Sequence, residues 1–244
     1  MNSIKVVALS LLVLVITGCA PTPIKPVALE AQFYEQKTQR VAVYLDTLPE
    51  VNTFFPGAGC LLCLAAAEIA NSDVTEHVGT FSVEDIEGIA ADVETALKSN
   101  GLKPVVVTSP INWDKLKKFN APKAPDELKQ YARKDLRPLK QSMGVDKLVL
   151  VDINQVGVIR SYSSYIATSA PMGYLYGEAA IVDLNDNSYN MYQSVNIKTA
   201  VVGEWDEPEN FPGITTAFYE SINTLKEKVM SLLTPADQSV AATE

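Results

Sequence analysis

The sequence predicts an α/β fold in which a mixed sheet is covered by about three helices. Along the first two thirds of the chain, β-branched apolar runs alternate with segments of helical periodicity. This alternation favours parallel strands that are connected by right-handed helical crossovers. In the last third, residues 174–184 and 189–202 flank a polar turn at 185–188. That arrangement predicts an antiparallel hairpin that extends the same sheet.

The first predicted strand is the β-branched run at 40–46, and a long insertion at 49–80 follows it. The insertion contains the markedly apolar stretch FFPGAGCLLCLAAAEIA at 54–70. Two interpretations stay open for this stretch: a buried additional helix, or an exposed apolar surface that contacts a partner subunit or the membrane. The fourteen residues at 57–70 are too few to span a bilayer as a helix.

Helical periodicity begins at Ser82, which forms a capping-box pattern with Asp85. The apolar positions of this helix are Ile86, Ile89, Ala90, Val93 and Leu97. They recur at the spacing of one helix face, so this face is expected to pack on the sheet. Asn100 and Gly101 end the helix, and residues 102–107 return to a strand.

A second helix is predicted to begin near Pro125 and to end at Gly144, with Pro138 kinking or dividing it. The strand that follows, at 146–158, is apolar enough to occupy the centre of a sheet. After the hairpin, Pro212 begins a last helix. Its apolar stripe is formed by Phe218, Ile222, Leu225, Val229 and Leu232.

The amino-terminal apolar run, residues 6–16, is eleven residues long and is therefore too short to cross a bilayer. It follows Lys5, as the apolar region of a secretory signal follows a positive charge. Ile16-Thr17-Gly18-Cys19 resembles the bacterial lipoprotein box. The resemblance implies that Cys19 receives diacylglycerol on its sulfur, that cleavage removes residues 1–18, and that the new amino terminus is acylated. The alternative is an ordinary secreted protein with a cysteine there by chance.

The lipoprotein interpretation divides the chain into four parts. Residues 1–18 are a signal peptide, and 19–38 are the lipidated cysteine with a proline-containing flexible tether. Residues 39–234 form one periplasmic domain, and 235–244 form a disordered tail. Ala20 follows the cysteine, which in enterobacteria-like sorting implies the outer membrane. Loss of Lys5 leaves 19 basic and 29 acidic residues, a charge that makes nucleic acid an unfavourable partner.

Two short stretches carry a family resemblance: VDKLVLVDI at 145–153, which enters after a helix, and AAIVDLNDNS at 179–188. With the predicted element order, they resemble the periplasmic domains of the curli-secretion lipoprotein CsgG and the penicillin-binding-protein activator LpoB. The resemblance covers residues 39–233 and implies action through contacts, in rings or pores or on an enzyme. A pore is not expected, because two membrane strands and a turn would use all nineteen residues at 158–176.

Cys60 and Cys63 form a C-x-x-C motif in a compartment that permits oxidation. The motif is compatible with a local disulfide, with two buried thiols, or with thiol redox catalysis, which requires a low thiol pKa. A helix that begins near Gly59 would lower that pKa, but no cation lies within the run. A zinc site would need further ligands, and His77 is the only histidine. No metal and no cofactor is expected.

Asp152 and Glu178 lie in predicted strands and are the candidate pair for a cell-wall or glycan-directed hydrolase. A serine or cysteine hydrolase is disfavoured because His77 would have to be the base and Gly-x-Ser-x-Gly is missing. Residues 183–187 match part of a calcium loop, but Ser188 and Ser194 stand where that motif requires Gly and Glu. A simple turn is the preferred interpretation.

Four tyrosines surround the long connection between the later strands: Tyr162, Tyr165, Tyr174 and Tyr176. Tyrosine is enriched at protein interfaces, so they are candidate interaction residues; the alternative is that the rings cover the sheet. We therefore predict an outer-membrane lipoprotein that faces the periplasm, acts without catalysis, and binds the membrane through its lipid. Its expected partner is an envelope protein or further copies of itself. Hydrolysis by Asp152 and Glu178, or redox work by Cys60 and Cys63, is the alternative.

Overall fold

The structure is a computed structural model that describes residues 23–122, 129–207 and 210–235. The predicted signal peptide, Cys19 and the predicted tail beyond Pro235 lie outside these ranges. In the part that is described, no helix has both the length and the apolar character needed to cross a membrane. In chain order, the elements are α1 (Gln32–Glu35), β1 (Arg40–Leu45), β2 (Asn52–Phe54), α2 (Leu61–Ala70), α3 (Ser72–Val78), α4 (Glu84–Glu87), α5 (Ile89–Ser99), β3 (Lys103–Val106), α6 (Arg137–Met143), β4 (Lys147–Ile159), β5 (Tyr162–Ser163), β6 (Ile166–Ala167), β7 (Met172–Asp183), β8 (Tyr189–Ala200) and α7 (Pro212–Leu232).

One mixed sheet organises the molecule, with the strand order β3-β1-β4-β7-β8. Strand β1 pairs in parallel with β3 and with the first half of β4, and β2 pairs in parallel with the second half of β4. Strands β4, β7 and β8 pair antiparallel. The predicted fold class is therefore confirmed: parallel early strands are extended by a hairpin, and β4 is central because both its faces are apolar.

Helices cover one face of the sheet, and the long helix α7 and α5 form the centre of this layer. The apolar residues of α7 that the periodicity predicts, among them Phe218, Ile222 and Leu225, are buried against β7 and β8. The shorter helices α3 and α4 complete the layer through Val74, Val78 and Ile86.

The opposite face is covered by residues 107–122 and 129–145, which are largely irregular. The sequence predicts one long helix from Pro125 to Gly144, but residues 129–136 are not helical. Within the described part of that predicted helix, only α6 is helical, and Pro138 lies in the first turn of α6. The Asn187 side chain explains the irregular path. Its amide donates to the carbonyls of Ala132 and Lys134, and its oxygen accepts from the backbone N–H of Leu136. These bonds use backbone groups that a helix would need.

Residues 27–38 pack on the domain, which differs from the predicted flexible tether. The backbone of Val27 exchanges two hydrogen bonds of 2.9 Å with Tyr192 of β8. Leu29, Phe33 and Tyr34 are buried, and the Tyr34 hydroxyl donates to the Leu233 carbonyl at 2.6 Å. Burial of these apolar side chains outweighs the extended tendency of the nearby prolines.

Candidate functional site

Asp152 and Glu178 are direct neighbours across the sheet, because the antiparallel register of β4 and β7 places them opposite one another. The Cβ atoms of such a pair are about 4.5–5.5 Å apart. Both residues line a cavity of about 310 Å³, the carboxylate pocket, together with Asp46, Trp113 and Tyr189. The structure thus brings together the two carboxylates that the sequence singles out, and it adds Asp46 at the end of β1.

Asp46 is held in place by donors from three directions. The Trp113 indole N–H donates to Oδ2 at 2.6 Å, and the Tyr44 hydroxyl donates to Oδ1 at 2.9 Å. The backbone N–H of Thr47 donates to the same Oδ1 at 2.8 Å. Both oxygens of Asp46 therefore accept hydrogen bonds from other groups of the protein, so this carboxylate has a structural role in the lining of the pocket. Periodicity in the sequence could not reveal this set, since Trp113 lies in the irregular layer.

Asp152 is the carboxyl group of the pocket whose acidity is most changed. Burial raises the pKa of Asp152 to about 6, and the neighbouring carboxylates Asp46 and Glu178 add to the effect, while a hydrogen bond with Asn154 opposes it. Glu178 accepts a hydrogen bond from the Tyr192 hydroxyl at 3.0 Å. Burial also raises the pKa of Tyr192, and the Glu178 charge acts in the same direction. Asp152 could therefore exchange a proton near neutral pH, next to a carboxylate that is fixed by Tyr192.

Basic side chains lie at the edge of the pocket. Arg133 and Lys134 line it, and the Lys134 ammonium donates to the Trp113 carbonyl at 3.0 Å. In the described ranges, no cluster of three or more His, Cys, Asp or Glu side chains is arranged to hold a metal ion. The side chains of the pocket offer proton exchange at Asp152 and hydrogen bonding to a small polar group.

A disulfide joins Cys60 and Cys63 at the amino-terminal end of α2. Cys60 is the N-cap, and its sulfur accepts a hydrogen bond from the backbone N–H of Cys63 at 2.9 Å. Cys60 is exposed whereas Cys63 is buried. This arrangement corresponds to the local-disulfide alternative and not to a pair of buried thiols.

The four predicted interaction tyrosines do not share one surface. Tyr162 is buried, and its hydroxyl accepts from the Asn71 amide at 2.6 Å. Tyr174 is also buried, and its hydroxyl donates to Gln155 at 3.0 Å. Tyr165 and Tyr176 are 58% and 41% exposed. Only these last two are available to a partner, because the other two rings stabilise the fold.

Helix α2 and the β5–β6 hairpin present a group of exposed apolar side chains, the apolar patch. Its members are Leu61, Leu62, Leu64, Ile69, Tyr165 and Ile166. The exposed fractions of Leu61, Leu62, Ile69 and Ile166 are 85%, 71%, 77% and 71%. Small residues on the inner side of α2, Cys63 and Ala67, pack against Tyr162. The helix therefore turns its small residues inward and its leucines outward, the reverse of an ordinary surface helix.

The insertion does not form a buried additional helix: α2 forms, but most of its large apolar side chains are exposed. Next to it lies a groove of about 830 Å³ that is lined by Phe54, Phe55, Leu64 and Tyr174, among other residues. The sequence signal for an exposed surface was the contrast between small residues at 63 and 67 and large residues at 61, 62 and 69.

No protein-family model matches this chain, and no curated protein matches it either. Among solved structures, it has a limited likeness to a putative neuraminyllactose-binding hemagglutinin homolog from Helicobacter pylori, with 12% identity, a TM-score of 0.39, and coverage of 88% of this chain and 90% of that one. The dodecameric PelC protein from Paraburkholderia phytofirmans has 7% identity and a TM-score of 0.30, with coverage of 88% and 96%. Lipoprotein GNA1162 from Neisseria meningitidis has 14% identity and a TM-score of 0.25, with coverage of 77% and 99%.

Proposed function

We propose that the protein is a lipid-anchored component of the bacterial outer membrane that faces the periplasm and binds another protein without catalysis. The anchor is Cys19, which follows a short apolar leader and a lipoprotein-box sequence. The observation that carries the binding role is the apolar patch on α2 and the β5–β6 hairpin.

The patch favours a protein partner on energetic grounds. Burial of a Leu or Ile side chain contributes about 1.5–3 kcal/mol, so Leu61, Leu62 and Ile69 together would contribute roughly 5–9 kcal/mol. Association costs about 4–15 kcal/mol, so burial of these three side chains would offset a large part of that cost. Contiguous exposed apolar surface of this kind marks interaction sites in soluble domains. The partner is a second envelope protein or another copy of this chain.

Site-specific photo-crosslinking in living cells tests the binding role. A photoreactive amino acid is placed at position 62 or 69 in the apolar patch, and at the exposed Asn223 of α7 as the matched control. We expect defined adducts from positions 62 and 69 and none from 223. The mass of the adduct distinguishes a second copy from a different protein. Equal adduct yields at all three positions would contradict the proposal.

The lipid anchor is tested separately by mass spectrometry of the protein isolated from membranes. We expect a chain that begins at Cys19 and carries acyl chains, and we expect Cys19→Ser to abolish both the acylation and the membrane attachment that resists high salt. Membrane fractionation then locates the acylated protein in the outer or the inner membrane. An unmodified thiol at Cys19, or an uncleaved leader, would remove the anchor from the proposal.

The carboxylate pocket supports a second candidate function, a glycan-directed hydrolase. The supporting observation is that Asp152, with its raised pKa, lies directly opposite Glu178. Glycosidases pair an acid of raised pKa with a second carboxylate. However, the pocket volume of about 310 Å³ is at the lower end for ligand sites, and Glu178 is already bonded to Tyr192.

Fragment release from purified peptidoglycan distinguishes the two functions. For a binding protein, we expect no release by the wild type and none by Asp152→Asn or Glu178→Gln. Release by the wild type that falls at least about a hundredfold in either variant would establish the hydrolase and contradict the non-catalytic role.

A further inference from the structure

The charged residues of the domain are distributed unequally between the two faces of the sheet. The described residues of the irregular layer, 111–122 and 129–143, contain eight Lys and Arg and two Asp. On the helical face, residues 72–99 contain seven Asp and Glu and one Lys. These segments of the irregular layer thus have six more basic than acidic residues, in a chain whose net charge is −9.

The exposed cations of the irregular layer form what we call the basic surface. Its members are Lys115, Lys117, Lys118, Lys129, Arg133, Lys134 and Arg137. Two of them are in ion pairs, Lys129 with Asp186 and Arg137 with Asp135. In the ranges that the structure covers, no acidic partner lies within ion-pair distance of Lys115, Lys117 or Lys118. These three are available to an external anion.

Aromatic rings accompany the cations. The Arg137 guanidinium lies 5.1 Å from the centre of the Phe119 ring, and Phe119 packs against Tyr131 with ring centres 5.6 Å apart. Amphipathic aromatic side chains next to Lys and Arg are typical of surfaces that lie at a membrane interface. The composition therefore matches a lipid headgroup layer better than a purely ionic partner.

The chain enters the domain on this same face. Ile24 packs against the core beneath the irregular layer and lines the carboxylate pocket with Trp113 and Lys134. Only four residue steps separate Cys19 from Pro23, and an extended chain covers at most about 14 Å in four steps. If Cys19 is lipidated, as the proposed function states, the point of entry is held within that distance of the bilayer surface. The Debye length in physiological salt is about 8 Å, so the basic side chains interact with the headgroups when the domain lies closer to the bilayer than this limit, and the short segment permits that approach.

We infer that the basic surface docks on the anionic phospholipid headgroups of the membrane that holds the lipid anchor. The anchor restrains the position of the domain, and the basic surface determines which face turns toward the bilayer. The acidic helical face then turns away from the membrane. The apolar patch lies beyond the Ile159 end of β4, about 30 Å along the strand from Leu150, near which Ile24 packs. It stays accessible to a protein partner.

Vesicle flotation of the mature chain with Cys19→Ser tests the surface without the anchor. The probes are phosphatidylcholine vesicles with and without about 30% phosphatidylglycerol. We expect binding only to the anionic vesicles, and loss of that binding in about 0.5 M salt. Each Lys near an anionic bilayer contributes roughly a fivefold factor in affinity, so Lys115→Gln, Lys117→Gln and Lys118→Gln together should weaken binding about a hundredfold.

The matched control removes the same charge from the helical face, by Lys98→Gln, Lys226→Gln and Lys228→Gln. All six substituted lysines have exposed or half-exposed side chains, so both triple variants are expected to fold. The control should bind anionic vesicles as the wild type does. Equal losses in the two variants, or binding that is independent of phosphatidylglycerol, would overturn the proposal.

Tryptophan fluorescence in proteoliposomes reports the orientation of the acylated protein. Trp205→Phe leaves Trp113 on the irregular layer, and Trp113→Phe leaves Trp205, which stacks on Arg160 at 4.4 Å. Lipids with brominated chains should quench Trp113 more strongly than Trp205, and the difference should disappear in the Lys115, Lys117 and Lys118 variant. Equal quenching of both would contradict the orientation even where acylation is confirmed, so this result is separable from failure of the anchor.

Discussion

At the scale of single residues, Asp152 is the carboxyl group at which burial and the neighbouring carboxylates act together to raise the pKa. Its pKa is about 6 in the folded state, against 3.8 for an unperturbed Asp. The folded state therefore binds a proton more tightly than the unfolded state does. By linkage, the free energy of unfolding falls as the pH rises from about 4 to about 6, because the buried carboxylate must then ionise.

Asp152→Asn should remove this pH dependence. The full shift corresponds to about 3 kcal/mol, but Asp152 is partly solvated, so we expect a stabilisation of about 1–2 kcal/mol at pH 7 and little change at pH 4. Urea unfolding of both proteins between these pH values measures the difference. If the free energies of unfolding of the variant and the wild type changed with pH in the same way, ionisation of Asp152 would not limit stability.

Gly157 determines how closely β2 can approach β4. Its φ is +142°, and an added Cβ would lie 1.9 Å from the Asn52 carbonyl oxygen. Gly157→Ala should separate β2 from β4 and lower the free energy of unfolding by about 2–4 kcal/mol. Gly59→Ala is the control, since a Cβ there would have no heavy atom within 4 Å. In urea unfolding, the free energy of unfolding of the control should change by less than about 0.5 kcal/mol. Equal losses of stability in Gly157→Ala and Gly59→Ala would contradict the steric explanation.

At the scale of elements, the local patterns predict the elements whose stability depends on their own apolar face. The sequence predicts β1, the β7–β8 hairpin and α7, because the apolar residues of each recur at the regular spacing of a strand or of a helix. The layer at 129–136 was predicted as helix and is not one, because the Asn187 side chain, about fifty residues later, bonds its backbone. Residues 27–38 were likewise mistaken for a tether because their partners, Tyr192 and Leu233, are remote in sequence.

Part of the candidate site is likewise predictable from the sequence, and part of it is not. Asp152 and Glu178 could be named from the sequence as a pair in strands, but only the register of β4 and β7 places them opposite one another. Asp46 and Trp113 were not recognised as members of the pocket, because one ends a strand and the other lies in the irregular layer. The exposure of α2 was left open because apolar composition alone does not distinguish a buried helix from an uncovered one.

The Cys60–Cys63 disulfide closes a four-residue loop and acts on α2 alone. The chain-entropy model gives a loop of this size about 2 kcal/mol. Cys60→Ser with Cys63→Ser should therefore reduce protection of the α2 amides in hydrogen exchange, while the amides of β4 keep theirs. Loss of protection in both elements would mean that the disulfide stabilises the whole domain, in contradiction to its local geometry.

At the scale of the whole molecule, the domain separates three surfaces of different chemical character. The basic surface lies over one face of the sheet, the acidic helices lie over the other, and the apolar patch lies at the end of β4. None of these three surfaces includes the buried core residues of the sheet. Substitutions in the apolar patch should therefore change association while leaving stability almost unchanged.

Leu62→Glu with Ile69→Glu tests this separation. Both side chains are largely exposed, so the free energy of unfolding measured in urea should stay within about 0.5 kcal/mol of the wild-type value for each substitution. Photo-crosslinking from position 61, next to the substituted residues, should fall by at least about tenfold, because two charges cannot be desolvated in an apolar interface without a large cost.

Val78→Ala provides the opposite control. Val78 is the last residue of α3 and is fully buried, so its truncation should lower the free energy of unfolding by about 1–3 kcal/mol and leave crosslinking at position 61 intact while the protein stays folded. If the double variant instead unfolded as readily as Val78→Ala, the leucines of α2 would be holding the domain together. The apolar patch would then be part of the core and not a surface for a partner.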